Sequence, residues 1–126
     1  MDFELAFTDK EITPWGGMAL MKRMLDHLGF AEALKAIQLP PKQSNRGYEP
    51  DQLVTQFMLS VWCGANRFEH AEVTRNDPVL RELFGFKTMA NFKAIMRYSS
   101  ALPSKTMTAF LGTCTVGYLV NSNSMD

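Results

Sequence analysis

Apolar residues recur at helical spacing in the first part of the chain. The segment MALMKRMLDHLGF places them on one stripe, at Met18, Met21, Leu25 and Leu28. Gly29 follows where a helix C-terminus favours glycine. The next segment repeats the spacing in a shorter run, with Phe30, Ala33, Leu34 and Ile37 in register. The pattern predicts two helices, followed by a loop of proline and polar residues, QLPPKQSNRGYEP.

The middle of the chain predicts a buried helix. Pro50 suits the first turn of a helix, and Asp51 lies near the positive end of its dipole. The segment DQLVTQFMLSVWCG that follows is apolar on almost every side. Because a helix that is apolar all round is normally buried, we interpret this segment as the central core helix, ending at Gly64.

Three shorter segments complete the predicted fold. NRFEHAEVTRN is a polar helix, DPVLRELFG has an Asp cap and a closing glycine, and KTMANFKAIMRY begins with Thr88 as its predicted cap. The sequence therefore predicts an all-α fold of about six short helices in an irregular bundle, after a short extended N-terminal lead-in. Residues 78–98 also predict a helix-turn-helix, with Gly85 in the turn.

Composition limits the classes of function. The chain has 126 residues, of which 46% are hydrophobic and 21% charged, and its formal net charge is zero. These values are typical of one globular domain and provide no overall field that attracts nucleic acid or membrane. The N-terminus lacks the pattern of a secretory signal, and no apolar run has transmembrane length. Cys63 and Cys114 lack metal-ligand spacing and fit a reducing compartment, so we expect a cytoplasmic protein without a membrane partner.

The sequence carries no enzymatic signature. It has no phosphate-binding loop, nucleophile elbow or zinc-protease motif. His70 lies between Glu69 and Glu72, but no nucleophile or glycine-rich loop is near it in sequence. We interpret charged pairs such as Glu72 with Arg75 as solvated helix faces. The residues predict no catalytic group, no metal site and no small-molecule substrate.

Charge is unevenly distributed in the second half of the chain. From Phe86 to Lys105 there are basic residues and no acid. The predicted helix KTMANFKAIMRY lies in this basic segment. A basic helix of this kind can enter a DNA major groove, with basic side chains on phosphate oxygens and amide or guanidinium groups near base edges. The predicted DNA-binding residues are Lys87, Asn91, Lys93, Arg97 and, in the loop KQSNRGYEP, Arg46. Lys42 and Tyr48 are candidates for the same second contact, and a solvated loop without a partner is the favoured alternative for this segment. The alternative interpretation is an exposed basic face without a partner.

The order of motifs resembles the N-terminal helical region of bacterial insertion-sequence transposases of the DDE type. TPWGGMALMKRMLDHLGF is similar to the Gly-Gly lead-in and apolar helix of that family. YEPDQLVTQFMLSVWCGANRFEHAEVTRNDPVLRELFGF is similar to its central block, with a Gly-x-x-Arg turn and an R-x-D-P-x-L step. KTMANFKAIMRY stands where the family has a helix that ends in Arg plus an aromatic residue. The resemblance covers about residues 7–98.

The resemblance implies a role in DNA transposition without catalysis by these residues. In the family, this region precedes a ribonuclease-H-like domain whose three carboxylates hold two divalent metal ions. None of those carboxylates has a counterpart here, so the resemblance implies no catalytic residue, metal or cofactor in this chain. The resemblance implies that this region binds element-end DNA, or that the chain associates with itself or with an intact transposase. A helical protein-interaction or dimerisation module without DNA contact stays open as the alternative.

The last part of the chain changes character at Tyr98. The resemblance to the family ends at Tyr98. A few residues later the charges also disappear, since after Lys105 the only charged residue is Asp126. Read one nucleotide out of phase with suitable synonymous codons, the tail can encode FQRFTQQNNDSVFRYLYSWLLGKLQFDG, which is charged, aromatic and helical. We therefore predict a transposase-like helical domain over residues 1–98 and a divergent, out-of-frame tail over residues 99–126.

Overall fold

The computed structural model describes residues 4–42 and 44–103 of the chain. Over these ranges it contains six α-helices, one 3-10 turn and no strand, so the predicted all-α fold is confirmed. In chain order the elements are α1 (Met18–His27), α2 (Phe30–Ala36), α3 (Pro50–Trp62), the 3-10 turn (Phe68–His70), α4 (Ala71–Arg75), α5 (Pro78–Leu83) and α6 (Phe92–Ala101).

Helix α3 supplies the centre of the core, although it is not buried on all sides as the sequence predicts. One cluster joins Leu53 of α3 to Ala71, Ala90 and Ile95, and a second joins Leu59 to Leu80 and Met89. The outer side of α3 is different, because Phe57 is 37% and Val61 is 48% exposed. The helix therefore presents an apolar face to solvent as well as to the core.

Two glutamines of α3 hold the segment that precedes α6. The buried Gln56 donates from Nε2 to the Ala90 carbonyl oxygen (2.6 Å), and its Oε1 accepts the Ala90 N–H (2.8 Å). One turn earlier, Gln52 Nε2 donates to the Thr88 carbonyl oxygen (2.6 Å). These bonds satisfy backbone groups that are not part of any helix, and they fix where α6 begins.

The start of α6 corrects the predicted cap. The helix begins at Phe92, and its cap is Asn91, whose Oδ1 accepts the Ala94 N–H at 2.9 Å. Thr88 lies outside the helix and contributes its carbonyl oxygen to Gln52 instead. The side chains of Gln52 and Gln56 bind the backbone of Thr88 and Ala90, which lies outside any helix, so the first N–H groups that need a cap are those after Asn91.

The predicted helix-turn-helix over residues 78–98 differs from the arrangement in the structure. Residues 84–91 separate α5 from α6, which is a longer connection than the short turn of that motif. Helix α5 packs mainly on α4 and α1, whereas α6 packs mainly on α3 and the 3-10 turn. The two helices therefore belong to different parts of the bundle.

The N-terminal lead-in is non-helical, as predicted, and two side-chain hydrogen bonds attach its end to the helices. Residues 4–12 form no helix or strand, and Leu5 and Phe7 are almost fully exposed. Thr13 then donates its hydroxyl to Asp77 Oδ2 at 2.5 Å, and Trp15 Nε1 donates to the Cys63 carbonyl oxygen at 3.2 Å. Asp77 also caps α5, so one buried carboxylate joins the lead-in to that helix.

Candidate nucleic-acid interface

An open groove of about 610 Å³ lies between the proline-rich loop and α6. It brings together three of the five predicted DNA-binding residues, because Arg46 lies on the loop side and Asn91 and Arg97 lie on the helix side. We call it the loop–helix groove. Its lining residues are Pro40, Pro41, Lys42, Ser44, Arg46, Gly47, Tyr48, Leu53, Asn91, Ala94, Arg97, Tyr98 and Ala101.

Tyr98 joins the two walls of this groove. Its hydroxyl donates to the Pro40 carbonyl oxygen at 3.0 Å, so the loop is tied to the second turn of α6. Burial, and to a smaller extent the Asp51 carboxylate, raises the pKa of Tyr98 above its ordinary value of 10.0. The phenol therefore keeps its proton at neutral pH, and the bond to Pro40 persists.

The lining of the groove is cationic. It includes Lys42, Arg46 and Arg97 and contains no carboxylate among the lining residues described. Lys42 forms an ion pair with Glu49 at the edge of the loop. Neither arginine forms an ion pair within the part of the chain that the structure describes. Two arginines that line one concave surface supply guanidinium groups, which are suited to bind phosphate oxygens.

Asn91 has a narrower role than the sequence suggests. Its Oδ1 already accepts the Ala94 N–H as the helix cap, so a ligand that used both the oxygen and the nitrogen of the amide would have to share or displace this bond. Bidentate reading of adenine needs both the oxygen and the nitrogen of the amide. Asn91 therefore suits a donor to phosphate better than a reader of base edges.

The remaining two predicted residues lie outside the groove. Lys87 is exposed on the connection between α5 and α6, and Lys93 is exposed on the outer face of α6. Arg97 connects this face to the groove, because its Nε donates to the Lys93 carbonyl oxygen at 3.4 Å while its side chain lines the groove. The predicted residues thus form one basic surface with two parts.

The helix side of the groove was not recognised from the sequence. Asn91, Ala94, Tyr98 and Ala101 all line it, and their spacing places them on one stripe of α6. The small alanines of this stripe leave room beside the loop. The signal is present in the spacing, but the stripe carries no charge pattern that would mark it as a binding surface.

Other candidates for chemistry do not form a reactive site. Burial, and secondarily the Asp77 carboxylate, raises the pKa of Cys63 to about 11, so its thiol is protonated at neutral pH. Cys114 lies outside the described residues. Glu72 accepts hydrogen bonds from Arg75 Nη1 (2.8 Å) and the Phe92 N–H (2.9 Å). The pair of Glu72 and Arg75 is therefore not only a solvated helix face, because Glu72 joins α4 to α6.

The described residues contain neither a cluster of metal ligands nor a helix that could span a membrane. No three His, Cys, Asp or Glu side chains in residues 4–42 and 44–103 come together as a metal site would require. None of the helices described is both long and apolar enough to cross a membrane.

Comparison of the chain with protein-family models, curated proteins and solved structures finds no match.

Proposed function

We propose that this chain is related to the N-terminal helical region of DDE-type transposases and that it binds DNA, including element ends, without cutting it. The observation that carries the proposal is the loop–helix groove, whose lining includes Arg46 and Arg97, neither of them in an ion pair among the residues described. Lys93 extends the same basic surface along α6. The chain has no overall positive charge, so this local surface is what attracts phosphate.

The geometry favours contacts to the DNA backbone over reading of bases in the major groove. The stripe of α6 that contains Asn91 and Ala94 faces the loop, so the loop blocks it from entering a major groove. The outer face offers Lys93, Met96, Arg97 and Ser100, which include two cations and no acid. This surface suits phosphate oxygens, and phosphate contacts position a protein on DNA without specifying sequence.

Salt-dependent binding tests the proposal. Fluorescence anisotropy of the full chain with a labelled blunt duplex, measured over a range of salt concentrations, gives the number of phosphates neutralised. We expect binding at low salt, with an affinity that falls steeply as salt rises. Each cation that contacts a phosphate contributes about 0.9 to the slope of log affinity against log salt, so Arg46→Ala with Arg97→Ala lowers the slope by about 1.8. Lys93→Ala lowers it by about 0.9.

Arg23→Ala is the matched control. Arg23 is an exposed arginine of α1, a helix that packs on α2 and α5, and its removal should leave the slope unchanged. Absence of binding at low salt contradicts the proposal. Equal slopes for the full chain and the Arg46→Ala, Arg97→Ala variant also contradict it, because the groove would then not touch DNA.

The second candidate is a dimerisation module, and the outer face of α1 favours it. Leu20, Met24 and Leu28 recur one helical turn apart and are 70%, 49% and 61% exposed. An exposed apolar stripe of this length suits pairing with a second copy about a twofold axis. Sedimentation distinguishes the candidates: a chain that stays monomeric and binds DNA excludes this one.

A further inference from the structure

The loop–helix groove has two chemically different parts. Leu53 and Ala94 form an apolar floor, and the Tyr48 ring belongs to the same wall, since it packs against the cluster around Leu53. The cationic side chains Arg46 and Arg97 lie among the other lining residues. An apolar surface next to guanidinium groups complements a molecule that is flat and apolar at one end and anionic at the other.

Duplex DNA cannot use both parts of this groove. Paired bases are stacked inside the helix and expose only their edges, whereas phosphates are on the outside. The groove is a recess closed on one side by the bond between Tyr98 and the Pro40 carbonyl oxygen. A duplex can place phosphates at the arginines, but it leaves the apolar floor empty.

We propose that the loop–helix groove takes an unpaired nucleotide of a DNA strand, with the base against Tyr48 and the apolar floor and the flanking phosphates at Arg46 and Arg97. This inference rests on the proposed DNA-binding function and names the form of DNA that the groove recognises. The volume of about 610 Å³ lies in the range of pockets that enclose small molecules. Stacking on an aromatic ring tolerates any base, so the groove recognises an unpaired end rather than a sequence.

The experiment compares a blunt duplex with the same duplex carrying a short single-stranded overhang. Both are titrated by anisotropy with the full chain at one salt concentration. We expect about 10-fold tighter binding of the overhang duplex, which is typical of one base stacked on an aromatic side chain. A third duplex has an abasic overhang with the same phosphates. We expect it to lose most of this gain, because it has charge but no base.

Groove-filling variants test where the base lies without disturbing the core. Ala101 is exposed and lines the groove, so Ala101→Phe fills it from the surface. We expect this variant to bind the blunt and overhang duplexes equally. Ala36→Phe is the matched control, since Ala36 is an exposed alanine at the end of α2 that does not line the groove. Ala36→Phe should keep the 10-fold preference.

The outcomes separate this inference from the function on which it rests. Binding of the blunt and overhang duplexes with equal affinity overturns the inference and leaves the proposed DNA binding intact. Failure to bind either duplex at low salt overturns both. An abasic overhang that binds as well as the intact one also overturns the inference, because the groove would then take phosphate alone.

A competition with free deoxyadenosine monophosphate distinguishes the two sources of a nucleotide. We expect it to displace the overhang duplex only at concentrations far above those of the DNA, because a single nucleotide lacks the neighbouring phosphates. If the free nucleotide binds more tightly than the overhang strand, the groove is a site for a free nucleotide and the assignment to a DNA strand is wrong.

Discussion

At the scale of single residues, Glu72 shows how one carboxylate holds two elements together. Its two oxygens accept hydrogen bonds from Arg75 and from the Phe92 N–H at the start of α6. Arg75 in turn donates from Nε to the Met89 carbonyl oxygen at 3.2 Å. Burial acts to raise the pKa of Glu72, but the bonds from Arg75 and Phe92 outweigh it and hold this pKa below its ordinary value of 4.5.

This pKa predicts how stability depends on pH. Because the folded-state pKa is lowered, the ionised Glu72 stabilises the fold above pH 4.5, and the stabilisation is lost as the pH falls through the folded value. We expect Glu72→Gln to destabilise the chain by about 1 kcal/mol at neutral pH, the usual contribution of such a bond. The difference from the unmodified chain should shrink well below pH 4.5, as measured by thermal unfolding.

The control for this prediction is Glu69→Gln. Glu69 is exposed, and its carboxylate makes no hydrogen bond to the residues described. Its removal should change the melting temperature little at either pH. A deficit in Glu72→Gln that is the same at neutral and acidic pH would contradict the role of the ionised carboxylate.

At the scale of elements, the sequence predicts the existence of α6 better than its first residue. Thr88 and Asn91 are both good cap residues, so the local sequence alone does not choose between them. The choice is made by Gln52 and Gln56, which hold the backbone at Thr88 and Ala90. The local sequence of α3 does not indicate what the two glutamines bind. Only the tertiary structure shows that their partners are the backbone groups of Thr88 and Ala90.

Asn91 lets the capping role and the binding role be measured separately. Asn91→Asp keeps a cap oxygen for the Ala94 N–H, so we expect stability to change by less than about 0.5 kcal/mol. The same change places a negative charge in the loop–helix groove, so we expect about 10-fold weaker binding to duplex DNA at low salt. Chemical denaturation and anisotropy measure the two effects.

Two further variants complete this test. Asn91→Ala removes the cap and should cost about 1 kcal/mol of stability. Asn66→Asp adds the same charge at an exposed position that does not line the loop–helix groove, and it should leave DNA affinity nearly unchanged. Equal loss of affinity in Asn66→Asp and Asn91→Asp would show that net charge, and not the groove, controls binding.

At the scale of the whole molecule, the groove depends on contacts that no local pattern encodes. Arg46 and Arg97 are far apart in the sequence but line the same groove, where Tyr98 ties the loop to α6 through the Pro40 carbonyl oxygen. Local charge in the sequence indicates the basic residues of the loop and of α6 as candidates for DNA binding. It could not predict that the loop packs along one stripe of α6, which is why the proposed DNA contact is with phosphate oxygens and not with base edges.

The position of the core bears on the predicted out-of-frame tail. All buried apolar residues described lie between Leu25 and Ile95, and α6 ends at Ala101. The predicted boundary after Tyr98 therefore falls within the last turn of α6, where Ser99 Oγ donates to the Ile95 carbonyl oxygen at 2.9 Å. Residues 104–126 lie outside the described residues, and the boundary stays a prediction.

Removal of the tail tests this prediction directly. If residues 99–126 are out-of-frame sequence, they carry no selected packing, and a chain that ends after Pro103 retains every buried apolar residue described. We expect its melting temperature and the salt slope of its DNA binding to equal those of the full chain. A large loss of stability would mean that the tail belongs to the fold and that the frameshift interpretation is wrong. The nucleotide sequence beyond the Tyr98 codon gives an independent check, because an alternate frame closed at once by stop codons contradicts the same interpretation.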